Sequence, residues 1–355
     1  MPHTLSAGEG RGRRDATGIG PAAGWQRALA WVLGVIAVTG PLWAPNDYWV
    51  GVMARICLYA TLALGLNVVV GFAGLLDLGY VAFFGIGSYL YAFLASPHFG
   101  LHLPFLVALP IIVVLTALSG ILIGAPTLRL RGDYLAIVTL GFGEITYLLL
   151  INLDRPVNIT GGPSGIISID PPAFGGFVLG RNTEYFYLFL AALALALLAS
   201  RRLRHSRIGW AWQAIREDEL AARAMGIDTT VAKLQAFAIG AAFAGIGGSF
   251  LASWQKSVFP ENFLFTESIN ILAMVILGGT GNLLGVVLGA TILVTLPEAF
   301  RDLQRYRLLA FGLMLMVMMI FRPQGIITAE GRSEEEPDAG RAEPEAAGGA
   351  AAGPT

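Results

Sequence analysis

The stretch WVGVMARICLYATLALGLNVVV (residues 49–70) decides the fold. Its 22 residues carry a single charge, Arg55. A helix needs roughly 20 mostly apolar residues to cross the hydrocarbon core of a bilayer, so this segment is long enough to span. Working outward, nine further segments read the same way: 28–44 before it, and 78–95, 101–124, 133–152, 184–200, 235–253, 266–280, 282–297 and 307–321 after it. The composition agrees. The chain is 55% hydrophobic and only 13% charged, against about 25% charged in an ordinary soluble domain. A soluble protein must cover its surface with polar groups, whereas a bilayer asks for no such cover. Glycine, frequent in membrane helices, occurs 45 times. The fold class expected is all-α, a polytopic transmembrane helix bundle of about ten spans.

Orientation follows from Lys and Arg, which are enriched in cytoplasmic segments. With a cytoplasmic N-terminus, the inside segments carry 16 of the 23 Lys and Arg residues and the outside segments 6, with Arg55 inside a span. Both termini are then cytoplasmic, which requires an even number of spans. The eighth and ninth segments are short and separated by GGTGN (278–282), so they read as a tight helical hairpin or as partly re-entrant segments. Residues 1–27 read as a polar tail rather than a cleaved leader, 28–328 as the transmembrane domain, and 329–355 as an acidic, Pro/Gly/Ala-rich tail. Neither tail carries enough apolar surface to offset chain entropy, so both are expected to be disordered.

Several chemistries are excluded. The single cysteine, Cys57, forms no intrachain disulfide. His3, His98, His102 and His205 do not cluster with Cys or carboxylate at ligand spacing, so no metal site is expected. The phosphate-binding pattern G-x-x-x-x-G-K-[ST] is missing, as are a nucleophile elbow and HExxH, so the chain is read as neither an ATPase nor another enzyme, with no cofactor of its own.

The longest inside loop, within 201–234, is RRLRHSRIGWAWQAIREDELAARAMGIDTTVAK (201–233). Ala211, Ala214, Ile215, Ala221, Ala222 and Met225 recur at helical spacing, with Asp218 the polar residue on the stripe. Gly226 follows the last periodic residue, where a left-handed cap favours Gly. Asp228 is placed to cap the helix that enters the seventh span. A short helix outside the bilayer is therefore expected. It lies either on the membrane surface or with its apolar stripe in a cleft of a cytoplasmic partner. The acidic run Glu217, Asp218, Glu219 disfavours anionic lipid.

Stretches of specific pattern follow one another: GYVAFFGIGSYLYAFL (79–94), LRLRGDYLAIVTLGFGEI (128–145), ITGGPSGI (159–166), AIREDELAARAMGI (214–227), FAIGAAFAGIGGSF (237–250), VILGGTGN (275–282) and FRPQGI (321–326). From about Leu58 to Ile326 the chain resembles the LivM family of branched-chain amino acid ABC permeases. The resemblance implies a multi-pass inner-membrane subunit paired with a homologous second permease. It implies two ABC ATPase subunits, which bind the ATP, and a periplasmic amino-acid-binding protein. The loop helix would be the coupling helix, its coupling residues Arg216, Glu217, Asp218, Glu219, Ala221, Ala222 and Gly226. Importer permeases carry E-A-A-x3-G in this place. Ala221, Ala222 and Gly226 fit it, whereas Leu220 stands where Glu is expected, Glu219 is displaced by one, and the later I-x-L-P element is missing.

A charge at the centre of a membrane helix costs about 2.5–3.5 kcal/mol on insertion scales, so such residues face the bundle interior. Asn67, Asp77 and Glu144 are therefore the candidate substrate-pathway residues. Each has a structural reading beside it: Arg55 and Glu144 can form an interhelical ion pair, and Asp77 can cap the third span. The loop 153–183, rich in Gly and Pro, either docks the binding protein or is an ordinary irregular loop. Stripes such as Ala236, Gly240, Ala244, Gly248 and Gly281, Gly285, Gly289 read as helix packing. A permease for urea, short amides or other amino acids, and an ion-coupled secondary transporter, are the competing functions.

Overall fold

The computed structural model describes residues 46–127, 130, 132–174 and 177–299, with isolated positions at 38–41, 43, 312–313, 316 and 326. The expected tails, 1–27 and 329–355, lie outside the described residues, as do most of the expected first and last spans. The chain divides into two compact units, 1–45 and 46–355. Of the first, the described positions 38–41 and 43 are helical.

The described part of the second unit is built mainly of helices. They are α1 (Asp47–Asn67, continued by a π-helical turn, Val68–Phe72), α2 (Tyr80–Leu94), α3 (Phe105–Thr127), α4 (Asp133–Asn152), α5 (Asn182–Arg204), α6 (Arg207–Glu217), α7 (Glu219–Ala224), α8 (Thr229–Gln255), α9 (Phe265–Gly278) and α10 (Leu283–Ala299). Every apolar segment read from the sequence within 49–297 is a helix here. Among the described residues, five helices are long and apolar enough to cross a membrane: α1 with its π-turn, α3, α4, α5 and α8. The shorter α2, α9 and α10 are apolar as well. At 1.5 Å per residue, the 14 residues of α9 reach only about 21 Å, less than the roughly 30 Å hydrocarbon core.

Exposure sorts the helices into layers. The α1 and α8 spans are mostly buried, whereas less than a third of the α3, α4 and α5 spans is buried. The exposed faces are nonetheless apolar, with Leu106, Val114, Leu118 and Leu122 on α3, Ile137 and Leu148 on α4, and Leu195 and Leu198 on α5. Such a continuous apolar exterior suits lipid and not water. In the interior, small residues let backbones meet. A Cβ on Gly87 of α2 would lie 2.5 Å from the Gly245 Cα of α8, and one on Gly285 of α10 would lie 2.0 Å from the Gly278 carbonyl oxygen of α9. Close approach of this kind drives association where the hydrophobic effect cannot. Gly240 and Gly248 play the same part on α8. Gly281 departs from its expected helical stripe: it sits in the α9–α10 turn at φ +89, a conformation that favours Gly.

The short segment between the eighth and ninth expected spans thus closes a helical hairpin, α9–α10, laid along α1. At one end of the bundle lie α6 and α7. At the other, strand β1 (Ile166–Ile167) pairs antiparallel with β4 (Ser257–Val258), and β2 (Ala173–Phe174) pairs with β3 (Phe177–Val178). The β1 loop is tied down further by the Asp170 amide, which donates to the Ala95 carbonyl (2.7 Å), and by the Tyr91 hydroxyl, which donates to the Asp170 carbonyl (3.0 Å).

The expected single loop helix is two. The chain breaks at Asp218, in extended backbone, and the Asp218 Oδ1 accepts from the Leu220 and Ala221 amides (2.7 and 3.0 Å) as the N-cap of α7. Asp competes with the backbone for local hydrogen bonds, so it starts a helix more readily than it continues one. The far end behaves as expected. Gly226 has φ +87, and the Ile227 amide donates to the Ala222 carbonyl, closing the helix with the paired bonds of a Schellman motif. Asp228 caps α8 through the Thr230 and Val231 amides.

Candidate translocation core and coupling surface

The core of the unit contains a break in regular structure, and every break inside a membrane protein must satisfy its backbone internally. After the π-turn, residues 73–79 run without helix into α2. Leu78 shows how the chain manages. Its amide donates to the Thr139 Oγ1 of α4 (3.0 Å), and its carbonyl accepts from the Ser268 hydroxyl of α9 (2.6 Å). Gly79 lies against the Thr139 backbone, where a Cβ would meet the carbonyl oxygen at 2.0 Å. Asp77 is buried, and its Oδ1 accepts from the Gly79 amide (2.9 Å). The bond stops at the residue before the helix, so Asp77 braces the approach to α2 rather than capping its first turn.

Asn67, also buried, serves a second break. Its Oδ1 accepts from the Gly281 amide (2.8 Å) in the α9–α10 turn. The Asn67 Nδ2 and the Asp77 Oδ2 are buried with no hydrogen-bond partner among the described residues. Leaving such an atom unpaired costs about 1–3 kcal/mol, so the two breaks hold a donor and an acceptor unspent. Glu144 is placed differently. It is half-buried on α4, next to Gly143, which faces Gly79, and it makes no ion pair among the described residues. No hydrogen bond joins Asn67, Asp77 and Glu144 to one another.

Arg55 is not paired with Glu144. Because α10 packs along α1, Arg55 Nη1 meets Glu298 Oε1 at 3.5 Å, and its guanidinium lies 5.9 Å from the Trp254 ring centre. Tyr48 donates to the other Glu298 oxygen, and one helical turn beyond Arg55 the Tyr59 hydroxyl donates to Glu267 Oε2 of α9 (3.3 Å). Trp254 is held by Asn182 (3.1 Å), which in turn donates to Asp47 (2.9 Å).

The loop helices join this core. The Arg216 guanidinium donates to the Gly71 carbonyl in the π-turn and approaches Thr280 Oγ1 (3.5 Å) in the α9–α10 turn, so one side chain of α6 touches both breaks. Trp212, fully buried, donates to the Ala232 carbonyl of α8 (2.7 Å) and fixes α6 to the bundle. Glu219 meets the buried Lys233 (2.8 Å) and Arg223 (3.2 Å), fixing α7. Ile215 and Ala222 are buried, while Ala221, Glu217 and Gly226 are exposed. The outward side of α7 is apolar, with Leu220 61% and Met225 83% exposed. Of the expected stripe, then, part faces the bundle and part faces out.

At the opposite end, Pro97, His98, Asn158, Ser164, Ile166 and Ser168 line an open cavity of about 490 Å³ between the 153–183 loop and the end of α2. Among the described residues no group of His, Cys, Asp and Glu is arranged to hold a metal ion.

A family model described as a branched-chain amino acid transport system permease component matches residues 48–322, which takes in this whole helical core. The chain belongs to that permease family. Membership makes it an integral membrane protein and a transport component. Among curated permeases, it is 42% identical over 325 residues to the high-affinity branched-chain amino acid transport system permease protein LivM of Salmonella typhimurium, covering 85% of this chain and 75% of that protein. The match to LivM of Escherichia coli (strain K12) has the same extent. LivH of Escherichia coli (strain K12) is 32% identical over 151 residues, 42% of this chain and 46% of that protein. No solved structure matches this permease.

Thr139, Ser268, Glu267, Glu298 and Trp212 were not singled out from the sequence. Single hydroxyls, carboxylates and tryptophans in helices are too common to signal, and only the pairing of distant segments gives these their partners. Thr139 does lie within LRLRGDYLAIVTLGFGEI, one of the stretches that together carry the family resemblance.

Proposed function

We propose that this chain is one of two membrane-spanning subunits of an ATP-driven importer for branched-chain amino acids in the bacterial inner membrane. Two separate ATPase subunits supply the energy and a periplasmic binding protein delivers substrate. The match to the permease family along the core, joined by the LivM relatives, is the observation that carries this reading. The LivH relatives, which match a shorter part of the chain, support a homologous second permease as partner. About ten spans follow from the count of apolar segments, and both termini in the cytoplasm from the charge distribution.

In this reading α6 and α7 form the coupling element. The exposed Leu220 and Met225 enter the cleft of an ATPase subunit, with Glu217 and Ala221 beside them. Arg216, Asp218, Glu219, Ala222 and Gly226 keep the element rigid and tied to the bundle. A rigid rod transmits displacement where a flexible loop would absorb it. Asn67 and Asp77, with their unpaired atoms at the breaks, and Glu144 on α4 line the path of a zwitterion that needs only a few dipoles.

The test is reconstitution of the chain with its candidate ATPases, second permease and binding protein in proteoliposomes. ATP-dependent uptake of labelled leucine, absent with labelled urea and insensitive to collapse of the proton gradient, supports the reading. Uptake that follows the proton gradient without ATP overturns it.

A further inference from the structure

Helix α1 is mostly enclosed, and from Val50 to Phe72 it has one exposed residue, Arg55. Its side chain is 47% exposed. Arg55 stands eight residues into α1, about 12 Å along the axis at 1.5 Å per residue, inside the apolar stretch long enough to span a membrane. A charge at that depth faces water or protein rather than lipid. A structural ion pair would bury the guanidinium against its carboxylate. Here the contact with Glu298 is loose at 3.5 Å, and Glu298 divides its two oxygens between Arg55 and Tyr48. The rest of the surroundings are those of a zwitterion site. Trp254 supplies an apolar wall over the guanidinium, and Glu267, bonded to Tyr59 one turn along, supplies a second carboxylate near Arg55.

We propose that Arg55 contacts the substrate's carboxylate on the translocation path, with Glu298 its counter-ion between passages and Glu267 the acceptor for the substrate's ammonium group. The passing amino acid displaces Glu298 from the planar guanidinium, which binds carboxylates in bidentate fashion, and its branched side chain lies against Trp254. This rests on the reading of the chain as an amino-acid permease.

The experiment uses the complete transporter in proteoliposomes and measures leucine uptake beside binding-protein-stimulated ATP hydrolysis. Arg55→Gln is expected to lower uptake by about tenfold or more, as befits a lost charge-assisted bond, while complex assembly and stimulated hydrolysis persist. Arg55→Lys keeps the charge but not the fork, and is expected to assemble normally with a raised KM for uptake. The charge-swapped double variant, Arg55→Glu with Glu298→Arg, is expected to stay as inactive as Arg55→Gln. Wild-type uptake in Arg55→Lys, or recovery in the swapped variant, shows a structural ion pair and overturns the proposal. Wild-type protein that imports no branched-chain amino acid sinks the permease reading and this inference with it.

Discussion

Leu78 has to place an amide and a carbonyl inside the bundle with no helix or strand to receive them, and Thr139 and Ser268 take one each. Thr139→Val keeps the shape and removes the acceptor. The expected loss is about 1–3 kcal/mol, read as a lowered Tm in detergent, with Thr139→Ser close to wild type. The sequence showed where such polar residues were needed but not which ones met. Asn67, Asp77 and Arg55 were legible because a polar group in an apolar run carries a cost that function or packing must justify. Their partners were not legible. Gly281 lies 214 residues from Asn67, and Glu298 lies 243 from Arg55. A single chain carries no record of which helix faces which, so the pairing of Arg55 with Glu144 was as reasonable from the sequence as the observed one.

At the scale of elements, the loop 201–233 divides cleanly into what was local and what was not. Gly226 and Asp228 were read correctly because capping depends on neighbours within one turn. The break at Asp218 is also local chemistry, but a helical stripe passes through it, and periodicity alone ran the two helices together. Which face of the stripe turns outward depends on Trp212 and Ile215 being taken up by the bundle. Leu220→Glu with Met225→Glu changes exposed residues only, so the permease is expected to fold while losing its ATPase subunits in co-purification. Asp218→Ala removes the cap of α7, worth about 1 kcal/mol, and is expected to raise amide exchange across 219–224 without abolishing assembly. Interior contacts tolerate less. Gly87→Leu has no room between α2 and α8, and the protein is expected not to accumulate in the membrane.

The whole molecule puts α6 and α7 and the β1–β4 cap at opposite ends of the bundle. A water-soluble thiol reagent applied from each side of sealed membranes checks this directly, because the native Cys57 is buried. Ser164→Cys is expected to react only from the periplasm and Glu217→Cys only from the cytoplasm; labelling of both from one side contradicts the arrangement. The membrane class, the helical segments within 49–297 and the family were determined by the sequence alone. Each rests on length, composition or order along the chain, which a bilayer reads almost directly. Tertiary structure alone decided that α9 and α10 form a hairpin beside α1, that Arg216 touches both breaks, and that Arg55 meets Glu298. In lipid, helices associate through side-by-side packing of small residues and through scattered polar contacts. Such contacts join residues far apart in the chain, so they exist only once the bundle has assembled.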